Sequence, residues 1–126
     1  MGKEGFEKSI FNIDRIDINI PYIFIFEGPI DAMFVKNGVS VAGLTLSDTQ
    51  LTQLSEFPFH KKIWILDNPK IDESAMKKTQ ELLLNKESVY FWPFDNKNKD
   101  LNEWCVNEKK DEIDYNIIIN NLYPNI

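Results

Sequence analysis

Four short apolar runs alternate along this chain with segments of helical period, and that alternation restricts it to a sheet of parallel strands wrapped by helices. Tyr22-Ile23-Phe24-Ile25-Phe26 is apolar on both faces, as a strand covered from both sides requires. Pro29 then opens a stretch in which Ile30, Ala32, Met33 and Phe34 recur near helical spacing up to Gly38. Proline suits a first helical turn and glycine the residue past the last, so a helix is predicted over 29–37. Val39 to Ala42 reads as a second strand ended by Gly43, and Ser47 with Gln50 has the spacing of a capping box opening a helix through Glu56.

Ile63 to Leu66 is the third predicted strand, running straight into Asp67-Asn68-Pro69. From Asp72 a long helical pattern places Ala75, Met76, Thr79, Leu82 and Leu83 on an apolar side, with Lys77, Lys78 and Glu81 on a side read as solvated. Val89 to Trp92 is the fourth strand, stopped by Pro93. After a polar loop over 95–99, Asp100 and Glu103 have the spacing to cap a helix holding Leu101, Trp104, Cys105 and Val106. Ile113 to Leu122 is predicted as a last helix. The expected architecture is α/β, three layers with about four parallel strands, joined by right-handed crossovers. Residues 1–20, charges between isoleucines, are set apart as an N-terminal extension: an added strand, a flap or a stub. Residues 21–126 form the expected domain.

Composition sets limits on function. A length of 126 residues provides for one hydrophobic core. With 14 basic and 20 acidic side chains the net charge is −6, which counts against a stand-alone nucleic-acid clamp, since such proteins gain affinity by replacing counterions with Lys and Arg. A single cysteine, Cys105, excludes an intramolecular disulfide and any multi-cysteine metal site. The start, Met1-Gly2-Lys3-Glu4-Gly5, has no secretory pattern, and Tyr22 to Phe26, the longest apolar run, is too short to span a membrane. A cytoplasmic location without membrane partners is expected.

In open parallel sheets ligands bind beyond the carboxyl ends of the strands. There the sequence places Glu27-Gly28 after strand one, Asp67-Asn68 after strand three, and Lys99-Asp100 after the loop that follows strand four. If strands one and three are neighbours, Glu27 and Asp67 emerge side by side. Carboxylates gathered without His or Cys suit a hard, oxygen-preferring ion such as Mg²⁺, which commonly shares its remaining positions with water and phosphate oxygens. The spacing points to phosphoryl-transfer chemistry.

These residues also carry a resemblance. Ile25-Phe26-Glu27-Gly28-Pro29-Ile30-Asp31-Ala32 resembles the first motif of the Toprim family; Trp64-Ile65-Leu66-Asp67-Asn68 falls where its second motif, an apolar strand ending in Asp-x-Asp, begins; Lys99-Asp100-Leu101-Asn102-Glu103 resembles the Lys-Asp-x-Asn-Glu/Asp segment of its primase versions. Three motifs in order over about residues 22 to 106 make the resemblance specific, and within the family it looks closest to the DNA primases of T-even-like bacteriophages.

The resemblance implies that Glu27 acts in acid-base chemistry or metal binding and that Asp67 binds metal, with Asp100 a nearby acidic or loop-orienting residue. Gly28 and Lys99 are the candidate contacts to nucleotide phosphates. One departure is plain: the second aspartate of Asp-x-Asp falls on Pro69, and Asp72 either supplies the missing carboxylate or caps its helix. Asp31 likewise has two readings, support of the site and a first-turn acid favoured by the helix dipole. His60 is expected to be exposed at the opposite rim, while Cys105, Trp64, Trp92 and Trp104 are expected in the core.

The function implied is the Mg²⁺- or Mn²⁺-dependent half of a phage-type DNA primase core. Its substrates would be nucleoside triphosphates and single-stranded DNA engaged through the rest of the primase, its partner a replicative helicase, its location the host cytoplasm if phage-encoded. As a fragment or split subunit it is expected to be inactive alone. A Toprim nuclease and a catalytically degenerate binding module are the alternatives.

Overall fold

Ile23, Phe24, Ile25 and Phe26 are each at most 2% exposed, which requires cover on both faces of the strand they form. A computed structural model of the chain describes residues 8–124, so residues 1–7 of the expected extension lie outside the described residues. The strands are β1 (Tyr22–Phe26), β2 (Gly38–Ser40), β3 (Lys61–Trp64) and β4 (Ser88–Val89). The helices are α1 (Pro29–Ala32), α2 (Asp48–Ser55), α3 (Glu73–Leu84), α4 (Leu101–Glu108) and α5 (Tyr115–Ile119). The sheet runs β2-β1-β3-β4 and every pairing is parallel, the α/β architecture the sequence predicts. The ladders run past the named strands: Val41 donates to the Phe26 carbonyl, Ile65 to Ile25, and Tyr90 to Trp64.

Side chains alternate across the sheet and build two cores. Phe24, Phe26, Ile63, Ile65, Tyr90 and Trp92 face α1, α4 and α5, where they meet Ala32, Leu101, Trp104, Cys105 and Ile118. Ile23, Ile25, Val39, Val41, Trp64 and Leu66 face α2 and α3, where they meet Leu54 and Leu82. Cys105 and the three tryptophans are core residues, as expected. On α3 the buried positions are Ala75, Thr79 and Leu82, at helical spacing, while Met76 is exposed. Among the described residues no helix is long and apolar enough to cross a membrane.

Three local predictions are corrected. The helix predicted over 29–37 ends at Ala32, because the chain turns back at once toward β2. Asn37, not Gly38, takes the left-handed backbone (φ 60°), and its amide nitrogen binds the carbonyls of Asp17, Ile20 and Tyr22. Gly38 is instead the first residue of β2, packed so tightly that a Cβ would stand 2.2 Å from the Ala32 carbonyl oxygen. The last helix is shorter than predicted: Asp114 caps it by accepting from the Asn116 amide, and Leu122 leaves it to pair with Tyr90. His60 is half-buried rather than exposed. Its ring stands edge-on to Phe57 at 5.3 Å, and both ring nitrogens are buried without a hydrogen-bond partner.

Both borders of the sheet are covered by segments from the ends of the described chain. Phe11 exchanges two backbone hydrogen bonds with Ser40 along β2, with Ile10 buried beside it. Beyond β4, Phe91 donates to Asn121 and Tyr123 donates to Val89.

The Gly38 contact yields a stability test. Gly38→Ala is expected to cost about 2–4 kcal/mol in urea unfolding, since the opposing atom is main chain and cannot swing aside; a loss below about 0.5 kcal/mol would contradict the packing.

Candidate metal centre

The order of the strands decides where a ligand fits. From β1 the chain passes through α1 to β2 on one side; from β2 it crosses back over β1 through α2 to β3, and then on through α3 to β4. Keeping one crossover hand while reversing direction puts α1 on one face of the sheet and α2 and α3 on the other, as the two cores show. The helices after β1 and β3 therefore diverge, and a crevice opens beyond the carboxyl ends of those two neighbouring strands.

Three aspartates converge there. Asp67 follows β3, Asp31 lies in α1, and Asp100 is the N-cap of α4, and one carboxylate oxygen from each lies within 4.8 Å of the others. Asp31 accepts from the Asn102 backbone amide at 2.9 Å, tying α1 to α4. Asp100 accepts from the Glu103 amide at 2.8 Å, the cap its sequence spacing anticipated, while the Glu103 carboxylate accepts from the amide of Lys99, the residue before the cap, at 2.8 Å. All three acids are half-buried.

This clustering has an electrostatic cost. Burial, followed by the charges of Asp31, Asp100 and Asp72, pushes the Asp67 carboxyl up to about 6, with Lys99 acting in the opposite sense. Burial also raises Asp31, opposed by its bond from Asn102. A divalent cation bound by oxygen ligands would relieve the repulsion, and three half-buried carboxylates with no His or Cys fit a hard ion.

The other sequence candidates lie around this group. Glu27 leaves the end of β1 but is not one of the three; both of its carboxylate oxygens accept from Lys78 Nζ at 3.1 Å. Lys78 had been placed on a solvated face of α3, and its bond across 51 residues corrects that reading. Asp72 stands apart as the N-cap of α3, held below the usual carboxylate range chiefly by the Ser74 hydroxyl. Lys99 is exposed, with its charge acting on Asp31 and Asp67. Gly28 has extended backbone (φ −108°), and a Cβ there would meet nothing within 4 Å, so the fold itself does not demand glycine. Of the two acids that the sequence leaves with two readings, Asp72 and Asp31, only Asp31 joins the group. Its signal was position: an acid four residues after Glu27, in the first turn of a helix entered directly from a strand end.

Comparison with known proteins places similar sequences beside this chain. The Toprim-like family model matches residues 24–105, a span that takes in Glu27 and all three aspartates. The chain is also 32% identical over 103 residues to the DNA primase of Enterobacteria phage T4, an overlap of 79% of this chain and 27% of that protein. It thus spans about a quarter of the length of that relative.

The raised Asp67 carboxyl gives a signed pH dependence. Its ionised form is disfavoured in the fold, so in metal-free solution the penalty is absent below the ordinary value of 3.8 and complete above about 6. Asp67→Asn removes the charge. The variant is expected to melt about 3–6 °C above the wild type at pH 7, with the gain shrinking toward zero near pH 4. Equal melting temperatures at pH 7 would contradict this account.

Proposed function

The chain belongs to the Toprim-like family, and on that footing we propose that it is the divalent-metal-binding catalytic domain of a DNA primase, serving the joining of ribonucleotides on single-stranded DNA. The observation that carries this reading is the convergence of Asp31, Asp67 and Asp100 at the crevice between β1 and β3, in a chain similar to a phage primase. These three residues would hold Mg²⁺ or Mn²⁺, which would supply charge stabilisation for the triphosphate and for the attacking 3′-hydroxyl.

Glu27 is assigned the proton. Its carboxylate stands at the same rim, fixed by two bonds from Lys78, and serves as the acceptor for the 3′-hydroxyl proton. Lys99 offers its ammonium to the phosphates, and the space over Gly28 admits them close to the backbone. Asp72 keeps its place as a helix cap with an electrostatic influence on Asp67. Pro69 in place of a second aspartate favours the degenerate-module reading, yet the triad assembles three carboxylates without that position. Template DNA and a replicative helicase are the partners this reading requires, engaged together with the remainder of a longer primase.

Mn²⁺ titration followed by calorimetry tests the site. Wild type is expected to bind at micromolar to millimolar levels, Asp67→Asn to lose at least tenfold, and Glu27→Gln to stay within about threefold. Gly28→Ala is expected to keep its stability and metal affinity while weakening nucleoside triphosphate binding. In the complete protein, ribonucleotide incorporation on single-stranded DNA that Glu27→Gln abolishes supports the primase; metal-dependent nicking of plasmid without incorporation would transfer the assignment to a nuclease.

A further inference from the structure

Asn68 follows Asp67 at the end of β3 and is completely buried, 0% exposed. Each of its polar groups is engaged. Its side-chain nitrogen donates to the carbonyls of Asn96 and Asn98, both at 3.0 Å, and its side-chain oxygen accepts from the Lys70 amide at 3.1 Å. Its backbone N–H donates to the Lys99 carbonyl at 2.7 Å, and its own carbonyl accepts from the amides of Ile71 and Asp72.

Three of these bonds grip one loop, over 96–99, and that loop delivers Asp100 to the triad. The geometry is direct. The Asn68 N–H belongs to the peptide unit that leaves Asp67, and the Lys99 carbonyl belongs to the peptide unit that enters Asp100, so one short hydrogen bond joins two carboxylate-bearing residues 33 positions apart. The side-chain amide prevents the rest of the loop from pivoting about that bond. Lys70 secures the start of the same loop, with Nζ donating to the carbonyls of Trp92 and Pro93. Pro69, which departs from the Asp-x-Asp pattern, lies in the turn that brings the Lys70, Ile71 and Asp72 amides back onto Asn68.

We propose that Asn68 is a positioning residue for the metal centre: its buried amide fixes the Lys99–Asp100 loop against the end of β3, setting the spacing between Asp67 and Asp100. The residue type follows from the chemistry. Two carbonyls facing one side chain need two N–H donors and one acceptor for the turn, which asparagine provides in that volume and aspartate does not. An aspartate would also add a fourth negative charge beside the triad.

The inference rests on the metal-binding reading, and the test separates the two. Mn²⁺ affinity and melting temperature are measured for wild type, Asn68→Ala, Asn68→Asp and Asn37→Gly. Asn37 is the control: it is also buried and also donates to three main-chain carbonyls, but at the far end of β1, and glycine keeps its left-handed backbone accessible. Both Asn68 variants are expected to weaken Mn²⁺ binding roughly tenfold or more. Asn37→Gly is expected to lower the melting temperature while leaving affinity within about twofold. An exposed change, Lys70→Met, loosens the same loop without touching the core and is expected to weaken Mn²⁺ roughly threefold, which keeps the test readable if the Asn68 variants do not fold. Wild-type affinity in the folded Asn68 variants, an equal loss in Asn37→Gly, or an unaltered Lys70→Met where the Asn68 variants do not fold would overturn the role of Asn68. Failure of the wild type to bind Mn²⁺ would overturn the metal reading and this inference with it.

Discussion

The parallel pairing of β1 with β3 is the contact on which the rest of the molecule depends. Tyr22 to Ile25 align with Lys61 to Trp64, and Ile65 extends the ladder onto Ile25. β1 and the Ile63-Trp64 end of β3 are buried from two sides, so neither strand can shift by one residue without turning large apolar side chains onto the wrong core. Because the chain leaves this pair in opposite directions, from β1 toward β2 and from β3 toward β4, the helices that follow part company, and the ends of the two strands face an open crevice. Glu27 and Asp67 stand on its rim because of this pairing, although they are 40 positions apart. The remaining two acids of the triad come from α1 and α4, which pack together on a single face and are linked by the bond from Asn102 to Asp31.

The site works against the fold that carries it. Three half-buried carboxylates repel one another, and burial together with that repulsion displaces Asp67 toward neutral pH. Such an arrangement is retained only where surrounding structure overrides it. Here the override is a set of main-chain bonds: Asn102 to Asp31, Glu103 to Asp100, and the Asn68 contacts with the loop. The same bonds that hold the acids in place keep them close together, so their mutual repulsion and the cation binding proposed for them have one origin.

How far the sequence announced all this depends on the range of the forces involved. β1 was legible to the residue because its pattern is uniform and bounded by a proline and a glutamate. The Ser47–Gln50 box and the Asp100–Glu103 cap were legible because a cap is closed within four residues. The length of α1 was not, since it is cut short by the packing of Gly38 against Ala32, a contact between elements. Lys78 looked like any lysine on a charged helix face; its bond to Glu27 exists only once α3 is laid across the sheet. Asp31 was ambiguous for a related reason: a first-turn acid is locally favourable whether or not Asp67 and Asp100 stand opposite it. Asn68 was visible beside Asp67, but the carbonyls it serves lie about 30 residues further on.

The segments laid along the two borders of the sheet bear on behaviour in concentrated solution. A parallel sheet presents a row of unpaired backbone groups at each margin, ready to recruit a strand from another molecule. Phe11 occupies one margin with two hydrogen bonds, and residues 121–123 occupy the other. Leu122 and Tyr123 also pack against the two cores, so the segment that closes one margin is anchored on both faces of the sheet, and the closed margins oppose edge-to-edge joining of molecules. Trimming the chain inside Phe11 or Asn121 would leave the acidic crevice untouched and remove that protection.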